Sequence, residues 1–354
     1  LVIGLTLSAW QYIEKSAAYR RATEAESEQS RLRSEAEAAR RQAERQALLA
    51  RRSARVRPRL DDKILCAWNA LMISAFARGY QVLEEIRYLE RAEKAAEFLL
   101  REMRGPDGSL RRTCRGGIAR LDGCLDDHAF LAAALIDLYE SDFHPAWIRE
   151  ARGIADRMIA RLWDEVDGGF FFTPEGREDL ITRSKVGHDG ALPSGNAVAA
   201  LTLFRLARLT GEEGYAARAE GILRAYRDPV AQMPGRHGAM LCALDFHLDT
   251  VREVAVVGPG GSPGTRSMLR AVRRPFVPNK VVAFRDAAAG SDDARTTEIP
   301  LLEGKVAPGG EPTAYVCENF HCKAPTTDSR ALERLLVGVP PDPGGVSWPR
   351  DEGK

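Results

Sequence analysis

The sequence predicts a mainly α protein: a partial α/α toroid of helical hairpins, with a small C-terminal α/β element and an N-terminal helical arm. Three observations predict it. Apolar residues recur at helical spacing in paired segments between Asp61 and Arg227. The first helix of each pair opens on a similar polar signal, at intervals of about 65 and 69 residues. After Thr250 the pattern switches to short apolar runs bounded by Gly and Pro.

The arm comes first. The chain has 354 residues and a net charge of +1, which is an average over unlike parts. Residues 1–60 hold 13 Lys and Arg against 7 Asp and Glu, so a basic arm precedes a mildly acidic body. A composition that is 44% apolar and 29% charged excludes a disordered, collagen-like or disulfide-rich chain. Leu1 to Ile13 is apolar, but thirteen residues at about 1.5 Å each cannot cross a hydrocarbon core of about 30 Å. The segment reads either as the end of a membrane span, with Trp10 and Tyr12 at the interface, or as the apolar cap of a soluble helix. Glu14 to Arg57, rich in Ala, Glu and Arg and without Gly or Pro, predicts one long exposed helix ending by Pro58. Its composition is similar to the juxtamembrane segments of bacterial membrane-anchored kinases, but no kinase motif follows.

The hairpins follow in order. Leu65, Trp68, Met72, Ala75 and Gly79 keep helical spacing, as do Leu89, Ala92, Ala96, Leu99 and Met103. A second pair reads from His128 to Tyr139 and from Trp147 to Trp163. A third runs from Asn196 to Leu209 and from Tyr215 to Tyr226, and a shorter helix from Gly238 to Phe246. Asp61-Asp62, Asp126-Asp127 and Ser194-Gly195-Asn196 stand where N-caps belong. The Asn196–Leu209 segment is apolar almost all round, as an inner helix is.

Candidate chemistry follows from that geometry. Inner helices stacked in register put their N-termini on one face, crossed by the long connections 105–125 and 164–193. Acids, aromatics and a histidine on such a face are the components of a sugar site, with carboxylates for hydroxyls or protons and rings for sugar C–H groups. The catalytic candidates are Asp61, Asp62, Asp126, Asp127 and His188. The substrate-binding candidates are Trp68, Asn69, Arg183, Asp189, Ser194 and Asn196. The plainer reading of the four aspartates is that they cap helices, and of Gly190–Gly195 that it is a tight loop.

Beyond Thr250, Arg252–Val257, Thr265–Arg273 and Lys280–Phe284 read as a βαβ unit. Its turn, Gly258 to Gly264, is not read as a nucleotide loop, because it lacks the required glycine pattern and two prolines remove donors. Ala314–Cys317 reads as a further strand, Ser329–Val337 as a helix, and residues 340–354 as a frayed tail. The expected domains are therefore 1–57, 58–250, 251–338 and 339–354. Six scattered cysteines form neither a four-ligand zinc set nor a C-x-x-C pair, so no metal or cofactor is expected. Reduced thiols are expected, with Cys66 and Cys242 in the core and a cytoplasmic setting or the cytoplasmic face of a membrane.

Four strings together resemble one family: Arg57–Lys63 through Trp68-Asn69-Ala70-Leu71-Met72, Leu125–His128, Asp189–Asn196, and Cys317–Asp328. They are similar to the C-terminal region of the thioredoxin-domain proteins related to spermatogenesis-associated protein 20, over about residues 48–337. The resemblance implies a six-hairpin-glycosidase-like α/α barrel akin to N-acylglucosamine 2-epimerases, behind a thioredoxin-like domain. Two departures stand out. The thioredoxin-like domain and the first hairpins are not in this sequence, and Ala70 replaces the usual Gly after Trp-Asn. The functional expectation is a carbohydrate-related protein with a sugar ligand, of hydrolase or epimerase type, and no nucleic-acid partner. Under that reading Asp127→Asn abolishes turnover without changing stability. The alternative is a non-catalytic scaffold tethered to a membrane through residues 1–13. An incomplete barrel also predicts self-association or a partner that covers it.

Overall fold

The protein is described here by a computed structural model covering residues 2–176, 180–289, 298–318 and 321–338. The expected tail at 339–354 lies outside the described residues, as do the side chains of Trp10 and Tyr12. The chain divides into two compact units, residues 1–62 and 63–354.

The first unit is one helix, α1 (Val2–Ser53), followed by an irregular segment. Ion pairs one turn apart, Arg31–Glu35, Glu37–Arg41 and Arg40–Glu44, support it on exposed faces. No described helix is long and apolar enough to cross a membrane.

The second unit begins with a two-residue strand β1 (Ile64–Leu65) and three helical hairpins. They are α2 (Cys66–Leu83) with α3 (Ile86–Glu102), α4 (Leu125–Asp142) with α5 (Ala146–Leu162), and α6 (Gly195–Thr210) with α7 (Glu213–Ala225). A short α8 (Arg227–Gln232) leads to α9 (Gly238–Leu248). Helices α2, α4, α6 and α9 pack side by side as an inner row, and α3, α5 and α7 back their partners. This is the arc of an α/α toroid. The outer helices show one apolar stripe, such as Leu89, Ala92, Ala96 and Leu99 in α3. The middle inner helix, α4, is buried almost throughout. Phe130, Leu131, Leu135, Ile136 and Leu138 are wholly enclosed, each worth about 1.5–3 kcal/mol of burial.

The connection between α3 and α4 holds a hairpin absent from the sequence reading. Strands β2 (Arg111–Arg115) and β3 (Ile118–Asp122) join β1 in an antiparallel sheet ordered β1-β2-β3. Its two-residue turn, Gly116-Gly117, needs positive φ at both positions (57° and 76°), which glycine supplies without strain. This sheet sits directly before the first turn of α2.

The C-terminal part follows the expected βαβ pattern. Strand β4 (Arg252–Gly258) runs parallel to β5 (Lys280–Asp286), with α10 (Pro263–Arg273) as the crossover. Strand β6 (Thr313–Glu318) pairs antiparallel with β4 and with β7 (His321–Cys322), giving the order β5-β4-β6-β7. Helix α11 (Ser329–Val337) packs on α10. Two cysteine expectations fail. Cys317 and Cys322 face each other in the β6–β7 register and form a disulfide, and Cys242 is exposed. The Gly-rich turn is occupied by its own chain. Gly260 N–H donates to Asp286 Oδ1 at 2.9 Å and Ser262 caps α10.

Candidate functional site

The N-terminal ends of the inner helices are finished by side chains from neighbouring elements, and this decides which acids remain for chemistry. Asp127 stands in the first turn of α4, not at its cap, which is Cys124. Its Oδ2 accepts the Cys124 N–H at 2.8 Å, closing a capping box, and its Oδ1 accepts the Ala67 N–H of α2 at 3.0 Å. One buried carboxylate thus terminates two helices. Asp189 does the same elsewhere, accepting the Ser194 N–H at the start of α6 and the Ala239 N–H of α9, both at 2.9 Å. Ser194 is the expected cap of α6, accepting from Ala197 N–H while its hydroxyl donates to Val186 O. Asn196, wholly buried, spends its amide on Phe170 N–H, Phe170 O and Val186 O. Asn69 donates to Leu65 O within α2, and Arg183 donates to Thr173 O while lying 3.9 Å over the Phe171 ring.

Asp61 and Asp62 are not the caps of α2. They lie exposed in the first unit, and the α2 cap position is Leu65, whose side chain has no acceptor to offer. The segment departs from expectation because β1 stands between the acids and the helix.

What remains open is a cleft of two adjoining cavities, of about 70 and 350 Å³, that share Asp126, Phe172 and Leu192. Trp68 and Arg112 line the smaller, and His188 lines the larger. Trp68 is 61% exposed and presents its indole to the cleft from the first turn of α2. Arg112, from β2, lies 5.6 Å over the Phe172 ring and donates to Cys124 Sγ at 2.9 Å. Asp126 is the neighbour of Asp127 with the opposite fate: it accepts no hydrogen bond from any described residue. Burial pushes its carboxyl above the usual range, and Arg112 partly opposes this. Gly195 leaves room for it, since a β-carbon there would stand 2.4 Å from Asp126 Oδ1.

Of the expected set, Trp68, Asp126, Asp127, His188 and Ser194 line the cleft, Asp127 and Ser194 with their polar groups already bonded. Asn69, Asp127, Arg183, Asp189, Ser194 and Asn196 make the local bonds just described, and Asp61 and Asp62 belong to the other unit. Arg112 and Leu192 are cleft residues that the sequence reading missed. Gly116-Gly117 is a hairpin signal that could have located the strand carrying Arg112, but nothing in the spacing pointed to its side chain. Among the described residues no group of three or more His, Cys, Asp or Glu is placed to hold a metal ion.

A helical-hairpin arc with a polar cleft at the inner-helix N-termini defines the class of protein. By sequence, the chain is 33% identical to human spermatogenesis-associated protein 20 over 301 residues, which is 82% of this chain and 38% of that protein. An uncharacterized Caenorhabditis elegans protein is 27% identical over 296 residues, 80% of this chain and 39% of that one. The chain is a homologue of the spermatogenesis-associated protein 20 proteins and spans less than two-fifths of their length. No family model matches it. Among solved structures, a GH76 alpha-mannanase from Bacteroides thetaiotaomicron is similar at TM-score 0.41 and 16% identity, over 49% of this chain and 47% of that one. A cellobiose 2-epimerase from Bacillus thermoamylovorans is similar at TM-score 0.41 and 15% identity, over 48% and 45%.

Proposed function

We propose that the cleft binds a saccharide and that Asp126 exchanges a proton with it. The observation that carries this is the contrast between two adjacent carboxylates. Asp127 is consumed by two helix ends, while Asp126 lines both cavities with no hydrogen-bond donor from the described protein. A carboxyl whose affinity for protons is raised by burial is better suited to acid–base work than an exposed one. Trp68 and Phe172 offer ring faces for the sugar C–H groups, and Arg112 offers donors to hydroxyls.

Hydrolysis by a carboxylate pair is the weaker option, because the second acid of the cleft is already bonded. Removal of the C2 proton of a reducing sugar by one of Asp126 and His188, and its return to C2 in an epimerisation or to C1 in an isomerisation, uses the groups that are open. In a protein of the relatives' length, this stretch is then the saccharide-binding portion, and a thioredoxin-like domain falls in the remainder.

The test is NMR in D₂O with a panel of aldoses and reducing disaccharides. Wild type is expected to bind at least one and to place deuterium at C2. Asp126→Asn and His188→Gln should retain binding and lose at least about a hundredfold in exchange rate, and Trp68→Ala should weaken binding. A wild-type protein that binds no member of the panel overturns the proposal. Undiminished exchange in Asp126→Asn overturns the assigned role.

A further inference from the structure

A second cavity lies at the opposite ends of the inner helices, where they meet α10 and β5. Its volume is about 360 Å³, within the range of small-molecule sites. Arg78, Arg205, Arg273, Arg274 and Lys280 line it, against a single lining carboxylate, Glu140. Asp137 stands behind, one helical turn before Glu140.

The two acids are already balanced. Arg205 lies 2.9 Å from both Asp137 Oδ1 and Glu140 Oε2, Arg78 lies 2.9 Å from Asp137, and the Val282 N–H donates to Glu140 Oε1. Arg273 donates to the Glu140 and Ser141 carbonyls at the end of α4. Among the described residues, Arg274 has only a long 3.8 Å approach to Glu333. Lys280 is partly buried and makes no hydrogen bond or ion pair within 4 Å among the described residues. Burial lowers its affinity for a proton, against the attraction of Glu140. The cavity therefore carries surplus positive charge, including an ammonium partly withdrawn from water and without a bonded partner among the described residues. Apart from Gln81, its remaining walls are apolar and include Leu269, Val272, Val277 and Val282.

We propose that this cavity binds an organic phosphate, with Lys280, Arg273 and Arg274 on the phosphate and the apolar wall on the organic part. Guanidinium and ammonium groups converging on one space match a tetrahedral oxyanion, and the apolar wall favours a phosphate ester over the free ion. The site is separate from the saccharide cleft and shares no lining residue with it.

Isothermal titration with phenyl phosphate, inorganic phosphate and neutral phenol tests it. Phenyl phosphate is expected to bind wild type at least about tenfold more tightly than either of the others. Lys280→Met should cost about tenfold or more, and Lys280→Arg should restore most of the affinity. Because Lys280 bonds to no described protein group, the melting temperature of Lys280→Met should not fall. Absence of saturable phenyl phosphate binding to wild type overturns the proposal, as does equal binding by phenol. Unchanged affinity in Lys280→Met also overturns it, and so does unfolding of that variant, which would assign the lysine to the fold. Saccharide binding at the other cleft is read independently in the same variants, so failure of one site is not failure of the other.

Discussion

Asp127 and His128 are neighbours in the first turn of α4, and burial moves their protons in opposite directions. The Asp127 carboxyl is pushed up to about 6, although its two backbone N–H bonds pull the other way. The His128 imidazole is pushed down to about 4. It is buried with Nδ1 2.9 Å from Cys124 O, the geometry of a neutral ring donating to that carbonyl, and with Nε2 unpartnered. The signs follow from linkage with the unfolded values of about 3.9 and 6.5. Asp127 binds its proton more tightly when folded, so its contribution is fully present below about pH 3.9 and is lost as pH rises through 6. His128 binds its proton less tightly when folded, so its contribution is present above about pH 6.5 and is lost as pH falls towards 4. The two slopes oppose each other across the same window. Relative to wild type at each pH, Asp127→Asn should gain stability as pH rises from about 4 to 7. His128→Gln should gain as pH falls from about 6.5 to 4. Thermal melts at stepped pH check both, and pH-independent differences would refute the assignment. Asp127→Ala, which removes both caps, should lower stability by about 1–4 kcal/mol. The same two bonds argue against the expectation that Asp127→Asn leaves stability nearly unchanged.

At the scale of elements, the helices were legible because a 3.6-residue apolar period survives wherever one face is buried. The α3 stripe of Leu89, Ala92, Ala96 and Leu99 is an example, and α6 announced itself by being apolar nearly all round. The β2–β3 hairpin was hidden because its strands, Arg111–Arg115 and Ile118–Asp122, are charged and half-exposed and show little alternation. The roles of the acids were illegible for a different reason. Asp126 and Asp127 are the same residue in adjacent positions, and what separates them is the α2 backbone, sixty residues away in sequence. The disulfide likewise depends on register, since Cys317 and Cys322 meet only once β7 folds back on β6. One prediction belongs here. Asp189→Ala should raise the hydrogen-exchange rates of the Ser194 and Ala239 amides well above those of the α4 interior, since both lose their acceptor. Unaltered exchange at Ala239 would mean that the carboxylate does not hold α9.

For the molecule as a whole, the inner row starts with a helix that has no inner neighbour on its leading side among the described elements of its unit. Met72, Val82 and Leu83 are each more than half exposed along α2. Large apolar side chains in one stripe are the mark of a surface that is covered in use. We take a second copy as the cover in the isolated chain. Sedimentation velocity should then show association that rises with concentration, and Met72→Lys with Val82→Lys should reduce it. A sedimentation coefficient unchanged by concentration would count against this reading.

The shared helix ends also bear on the order in which the chain can settle during synthesis. The Ala67 amide of α2 receives its acceptor from Asp127, sixty residues later. At about 5–20 residues per second, the ribosome delivers that carboxylate about 3–12 s after the amide it caps. Helix α9 is in the reverse position, because its acceptor, Asp189, is made fifty residues earlier and is waiting when Ala239 emerges. The leading helix of the arc is therefore the inner helix that waits longest for its cap in the nascent chain, with Trp68 and Met72 on its surface.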